Sequence, residues 1–148
     1  MSNMLEIPFE TTLLVRDTCL CLHVQRAARA LARRFDQALR PLGLTNSQFS
    51  LMMSLNRPQP APMGPVANLL AIDQTTLTAA LKPLQRRGWV EILPNPRDRR
   101  ARLLSLTPSG KTVLAAAVPI WERTHAEVEE RLPDGDADRL RRDLLALT

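Results

Sequence analysis

The stretch PMGPVANLLAIDQTTLTAALKPLQRRGWVEILPNPRDRRARLLSLTPSG, residues 62–110, decides the fold. Val66 to Leu70 reads as a short helix, with Pro65 in its first turn, where a missing N–H costs nothing. Ala71 and Ile72 make a turn, and Asp73 is the N-cap of a longer helix that Gly88 stops after Arg87. Short helix, tight turn and longer helix make a helix-turn-helix. Pro83 removes the bond to the carbonyl of Ala79, so a kink is expected there. Trp89–Leu93 and Ala101–Leu106 read as two short strands, and the basic, proline-stiffened segment Pro94–Arg100 is their hairpin tip. Thr107 and Pro108 then supply the N-cap and first position of another helix.

Upstream, residues 1–12 read as an arm, followed by one long helix over residues 13–42. In it Leu20, Val24, Ala27, Leu31, Phe35, Ala38 and Leu42 recur at spacings of three and four, forming one apolar stripe. Such a helix exceeds what a small core needs, so part of the stripe is free for another subunit. Pro41 and Gly43 end it. Thr45 and Gln48 form a capping box, with Leu44 and Phe49 at the positions of a hydrophobic staple. That helix reaches about Leu55, and Pro58, Pro60, Pro62 and Pro65 mark the loop after it. Downstream, a helix from Pro108 to about Arg131 is bent at Pro119, and a last one carries Ala137, Leu140, Leu144 and Leu147 on one stripe. The expected class is mainly α with a small two-stranded wing: a winged helix-turn-helix over residues 43–107, flanked by helical regions 13–42 and 108–148.

Composition narrows the function. A chain of 148 residues fits one domain. Aromatics make up only 3% and tyrosine is absent, which argues against a surface that stacks sugars or single-stranded bases. The net charge of +5 is unevenly placed. Lys82, Arg86, Arg87, Arg97, Arg99, Arg100 and Arg102 lie within 21 residues against only Glu91 and Asp98, as a polyanionic partner would require. No run of 18 apolar residues occurs, and Glu6 and Glu10 stand where a signal peptide needs positive charge, so a cytoplasmic protein is expected.

Catalysis and metal binding find little support. His23 and His125 fall in separate helices, no Gly-rich phosphate loop occurs, and Asp98 sits amid arginines, which casts it as structural. No enzyme, cofactor or metal site is expected, because Cys19, Cys21 and His23 lack a fourth ligand. In a regular helix Cys19 and His23 share a face, whereas the side chains of Cys19 and Cys21 diverge and do not form a disulfide.

Three motifs in this order resemble the MarR family of bacterial transcriptional regulators. They are Leu44-Thr45-Asn46-Ser47-Gln48-Phe49, then Leu84-Gln85-Arg86-Arg87-Gly88-Trp89-Val90-Glu91, and Asn95-Pro96-Arg97-Asp98-Arg99-Arg100-Ala101 running into Leu106-Thr107-Pro108-Ser109-Gly110. The resemblance extends over roughly residues 13–147. It implies a homodimer whose outer helices form a helical dimerisation region. Its two winged modules would meet a double-stranded, pseudo-palindromic operator with half-sites roughly 34 Å apart. The implied function is a sequence-specific repressor released by a small ligand or an oxidant. A sequence-blind architectural nucleic-acid-binding protein is the alternative.

On that reading Gln74, Thr75, Thr76, Thr78, Ala79 and Lys82 lie on the first turns of the recognition helix. Gln can pair with adenine, and Thr or Ala methyls can pack on thymine methyls. Family members often carry a long basic side chain near Ala79, so its small size shifts weight to the wing. Arg100 matches the family's minor-groove arginine and Asp98 the acidic residue that aligns it, while Arg97 and Arg99 are cast as phosphate contacts. For the switch, the redox candidates are Cys19, Cys21 and His23. Peroxide-sensing relatives use a cysteine near this place, with tyrosines that this chain lacks. Liners of a crevice for an organic effector, such as an aromatic acid, are Val15, Cys19, His23, Phe49, Met52, Met53 and Trp121.

Overall fold

The computed structural model describes residues 5–148. Helix α1 spans Phe9–Thr18 and α2 Leu20–Leu39, followed by a 3-10 turn at Arg40–Leu42. The long helix expected over residues 13–42 is therefore two helices. Cys19 leaves helical geometry (φ −67°, ψ 110°), and its Sγ accepts a 3.4 Å hydrogen bond from the Leu22 N–H, so it caps α2. The expected arm is also corrected, because residues 9–12 belong to α1, which begins after the extended Pro8. Residues 1–4 of that arm lie outside the described residues.

Gly43 ends the 3-10 turn at φ 69°, a conformation that costs glycine nothing. Helix α3, Asn46–Ser54, starts with both bonds of the capping box in place: Gln48 N–H to Thr45 Oγ1 (3.2 Å) and Thr45 N–H to Gln48 Oε1 (3.0 Å). Asp36 on α2 accepts from the Asn46 N–H at 2.6 Å, so a carboxylate of one helix satisfies an orphan donor of the next. Helix α4 spans Met63–Leu70 and α5 Gln74–Arg86. The turn between them carries Ala71 at φ 55°, and α5 continues as helix through Pro83.

The sheet has three strands where two were expected. Strand β1 (Ala61–Pro62) pairs with β3 (Asp98–Leu106), which pairs in turn with β2 (Val90–Asn95), all antiparallel. Ala61 is 1% exposed opposite Leu104, and Pro62 is tolerated because β1 is an edge strand. The wing strands also run further than expected. Asn95 pairs with Asp98 after a register shift at Pro94, leaving only Pro96 and Arg97 as the tip.

Helices α6 (Pro108–Glu130) and α7 (Ala137–Ala146) complete the chain. One core joins Leu39, Phe49, Met52, Val66, Leu77, Leu81, Leu84, Val90, Leu104, Leu106 and Leu114, drawing on α2 to α6 and the sheet. By contrast α1 buries no residue, and Phe9, Leu14, Leu145 and Leu147 are each at least 60% exposed. Among the described residues no helix is long and apolar enough to cross a membrane.

The junction of wing and α6 is tied by one threonine. Thr107 Oγ1 accepts from the Gly110 N–H (3.0 Å) and donates to the Gly88 carbonyl (2.5 Å), while its N–H bonds to the Trp89 carbonyl (3.0 Å). Thr107→Ala should cost about 1–2 kcal/mol in chemical denaturation, and Thr107→Ser should recover most of that loss. Equal stability of the alanine and wild-type proteins would contradict this role.

Candidate nucleic-acid interface

Helix α5 is oriented by its apolar side. Leu77, Leu81 and Leu84 are fully buried, which turns Gln74, Thr75, Thr76, Thr78, Ala79 and Lys82 outward, all exposed. The Thr78 hydroxyl donates to the Gln74 carbonyl at 2.8 Å, so its proton is engaged and its methyl remains for contact. At the start of α5 the Asp73 carboxylate accepts from the Thr76 N–H at 2.7 Å. That backbone bond, then the Thr76 hydroxyl, holds the carboxyl below the usual aspartate range. A depressed carboxyl pKa means that the cap is at full strength above the ordinary aspartate range and is lost as pH falls through the lowered value. Acid titration followed by circular dichroism should show Asp73→Asn flattening this component. An unchanged titration would remove Asp73 from it.

The wing presents Arg97, Asp98, Arg99 and Arg100, all exposed. Asn95 Oδ1 accepts from the Arg97 N–H, and Asp98 Oδ1 from the Arg100 N–H, each at 3.0 Å. Asp98 therefore fixes the backbone that carries Arg100. It is not in an ion pair with the guanidinium, and none of the ion pairs among the described residues includes Asp98 or a wing arginine. Those guanidinium groups are left available to an outside anion.

Arg87 stands apart from the rest of the basic segment. Its guanidinium donates to the Gly43 carbonyl and lies 4.8 Å from the centre of the Trp89 ring. It staples the end of the helix-turn-helix to the turn before α3. Arg86 and Arg102, by contrast, are exposed and extend the basic surface.

The candidate switch residues fall into three places. Val15, Cys19, Cys21 and His23 gather around the α1–α2 junction, where His23 Nδ1 lies 2.7 Å from the Cys19 carbonyl and Cys21 Sγ accepts from the Gln25 amide at 3.3 Å. Phe49, Met53 and Trp121 line a cavity of about 440 Å³ between α3, α4 and α6, with Ser50, Ser54, Leu69, Leu70 and Val118. Met52 belongs to neither place. It is fully buried in the core, which removes it from the expected liners. The cavity wall is stiffened by an aromatic ladder in which Phe49 stacks on Trp121 (6.3 Å) and Trp121 on His125 (4.7 Å). The sequence alone did not place His125 beside the expected liner Trp121, although its i+4 spacing from Trp121 was the available signal.

A helix-turn-helix with an attached basic wing defines a winged-helix module. Residues 44–101 match the family model of the MarR family. The Mycobacterium tuberculosis transcriptional regulator MosR, solved in complex with DNA, is 37% identical and aligns with a TM-score of 0.81, covering 88% of this chain and 93% of that one. A mutant of Escherichia coli MarR complexed with operator DNA is 26% identical, with a TM-score of 0.80 over 91% of this chain and 97% of that one. The transcriptional activatory protein BadR of Rhodopseudomonas palustris is 32% identical over 64% of this chain and 55% of its own length. The chain thus spans just over half the length of the curated relatives it matches. It belongs to the MarR family.

Proposed function

We propose that this protein is a homodimeric, sequence-specific repressor of transcription that acts in the cytoplasm on a pseudo-palindromic operator. The observation that carries this reading is the free basic wing beside an α5 that turns Gln74, Thr75, Thr78, Ala79 and Lys82 outward. Solved relatives captured on DNA support it. In this reading α1, α2, α6 and α7 form the dimerisation region, because outer apolar side chains of α1, α2 and α7 find no cover within one chain.

The test is competition between palindromic promoter DNA and random duplex as salt rises. A specific repressor keeps a large affinity ratio after the counterion contribution has been weakened. A ratio that collapses to unity would favour the sequence-blind architectural alternative.

For release, the apolar cavity beside Trp121 suits a small aromatic ligand. It joins α3 and α4 of the winged module to α6, so a ligand that favours one spacing of these helices would change DNA affinity. A second trigger is favoured by one observation, the helix break at Cys19. The divergence expected for residues two apart in a continuous helix does not apply across it. A hydroperoxide would oxidise one thiolate to a sulfenic acid, releasing an alcohol, and the second thiol would displace water to form the disulfide. Peroxide or diamide should then weaken operator binding with loss of two hydrogens by mass spectrometry, and Cys21→Ser should abolish the response. Unchanged operator affinity after oxidation would leave the organic effector as the sole trigger.

A further inference from the structure

We infer that an arginine ridge on α2 docks against the acidic edge of α6 in a second copy of this chain. This rests on the homodimer proposed above and assigns part of its interface. Helix α2 carries four arginines and one aspartate, and Asp36 is already engaged by the Asn46 N–H. Arg26, Arg29 and Arg33 share one face and line a surface groove of about 600 Å³ with His23, Ala27 and Ala30. Among the described residues Arg34 alone of the four arginines has an ion-pair partner, Glu127 at 3.9 Å.

The complementary surface is on α6. Glu122, Ala126 and Glu130 recur every fourth residue and are all exposed, and neither glutamate is in an ion pair among the described residues. At 1.5 Å per residue Arg26 and Arg33 stand about 10.5 Å apart along their axis, and Glu122 and Glu130 about 12 Å apart. Two cations can therefore meet two carboxylates across one helix crossing. Ala27 and Ala30 on the ridge, and Ala126 opposite, leave room for the backbones to approach.

DNA phosphate would also attract such a ridge, but the exposed Glu122 and Glu130 offer carboxylates at a matching spacing on a second copy of the same chain. The arginines then set the register of the contact.

Sedimentation equilibrium of the full chain tests this. Arg26→Glu with Arg33→Glu should raise the dimer dissociation constant at least about ten-fold at low salt, since like charges are now opposed. Adding Glu122→Arg and Glu130→Arg should restore it to within about three-fold. Circular dichroism melts confirm that each variant is folded. An unchanged constant in the double variant, or failure of the four-fold variant to recover, overturns the ridge while leaving the dimer standing. A double variant that dimerises normally yet loses DNA assigns the ridge to DNA and also overturns it. A wild-type chain that is monomeric at every concentration overturns the dimer and the ridge together.

Discussion

Arg100→Ala is expected to weaken operator binding by roughly 30- to 150-fold while leaving the protein folded and dimeric. Each arginine contact to DNA is worth about 1–3 kcal/mol, and a two-fold dimer loses the contact twice. Taking about 1–1.5 kcal/mol for each contact, near the low end of that range, gives about 2–3 kcal/mol in total. The side chain is exposed and in no ion pair, so its removal disturbs nothing within the chain, and the loss belongs to the interface. Arg100→Lys should recover only part of the affinity, because an ammonium replaces the planar guanidinium by a point charge. Asp98→Ala should show a smaller loss, since it frees the Arg100 backbone and keeps the guanidinium. Fluorescence anisotropy on a labelled operator reads all three. An alanine variant within about two-fold of wild type would remove Arg100 from the DNA contact.

Gly110→Ala should be the most damaging single-atom addition to the fold. A Cβ at Gly110 would collide with the Trp89 carbonyl oxygen and stand within 3.2 Å of two further backbone atoms of Trp89. The obstacle is main chain, which cannot rotate aside as the tip of a side chain does. That same carbonyl accepts the Thr107 N–H, so relief by backbone movement breaks the bond that seats α6 on the wing. A loss of about 3 kcal/mol or more is expected, at the upper end of overpacking effects. Urea denaturation measures it, and a midpoint equal to that of wild type would refute the close approach. Gly88→Ala, with nothing within 4 Å of the added carbon but φ at 73°, should cost less and only through backbone strain.

The features legible in the sequence were those with a strong local signature. Thr45 with Gln48, Asp73, and Thr107 with Pro108 each supply a cap whose geometry depends on residues within three positions, and all three occur. The break at Cys19 was illegible for the opposite reason. The apolar stripe begins only at Leu20, no glycine or proline marks the break, and a thiol is a poor capping acceptor. Strand β1 escaped because two residues carry no period, and because its pairing with Leu103 and Leu104 is set some forty residues away. On the interface, the outward face of α5 followed from the spacing of Leu77, Leu81 and Leu84. The structural use of Arg87 did not, since charge counting cannot separate a cation that holds two loops together from one held free for a partner. Met52 likewise shares a helical pattern with Met53, and only packing in three dimensions sends one to the core and the other to the cavity.

The alanine in the turn of the helix-turn-helix bears on how the protein discriminates between sites. Ala71 holds φ 55°, a left-handed state that costs a non-glycine residue about 1–2 kcal/mol. A glycine would relax that strain but would widen the range of backbone angles open to the corner. With alanine, few of the alternative corner geometries remain accessible, and α5 leaves α4 in a narrow range of directions. The strain thus works as stiffness: in the function proposed above, a reading head that cannot swivel cannot adjust itself to a wrong sequence.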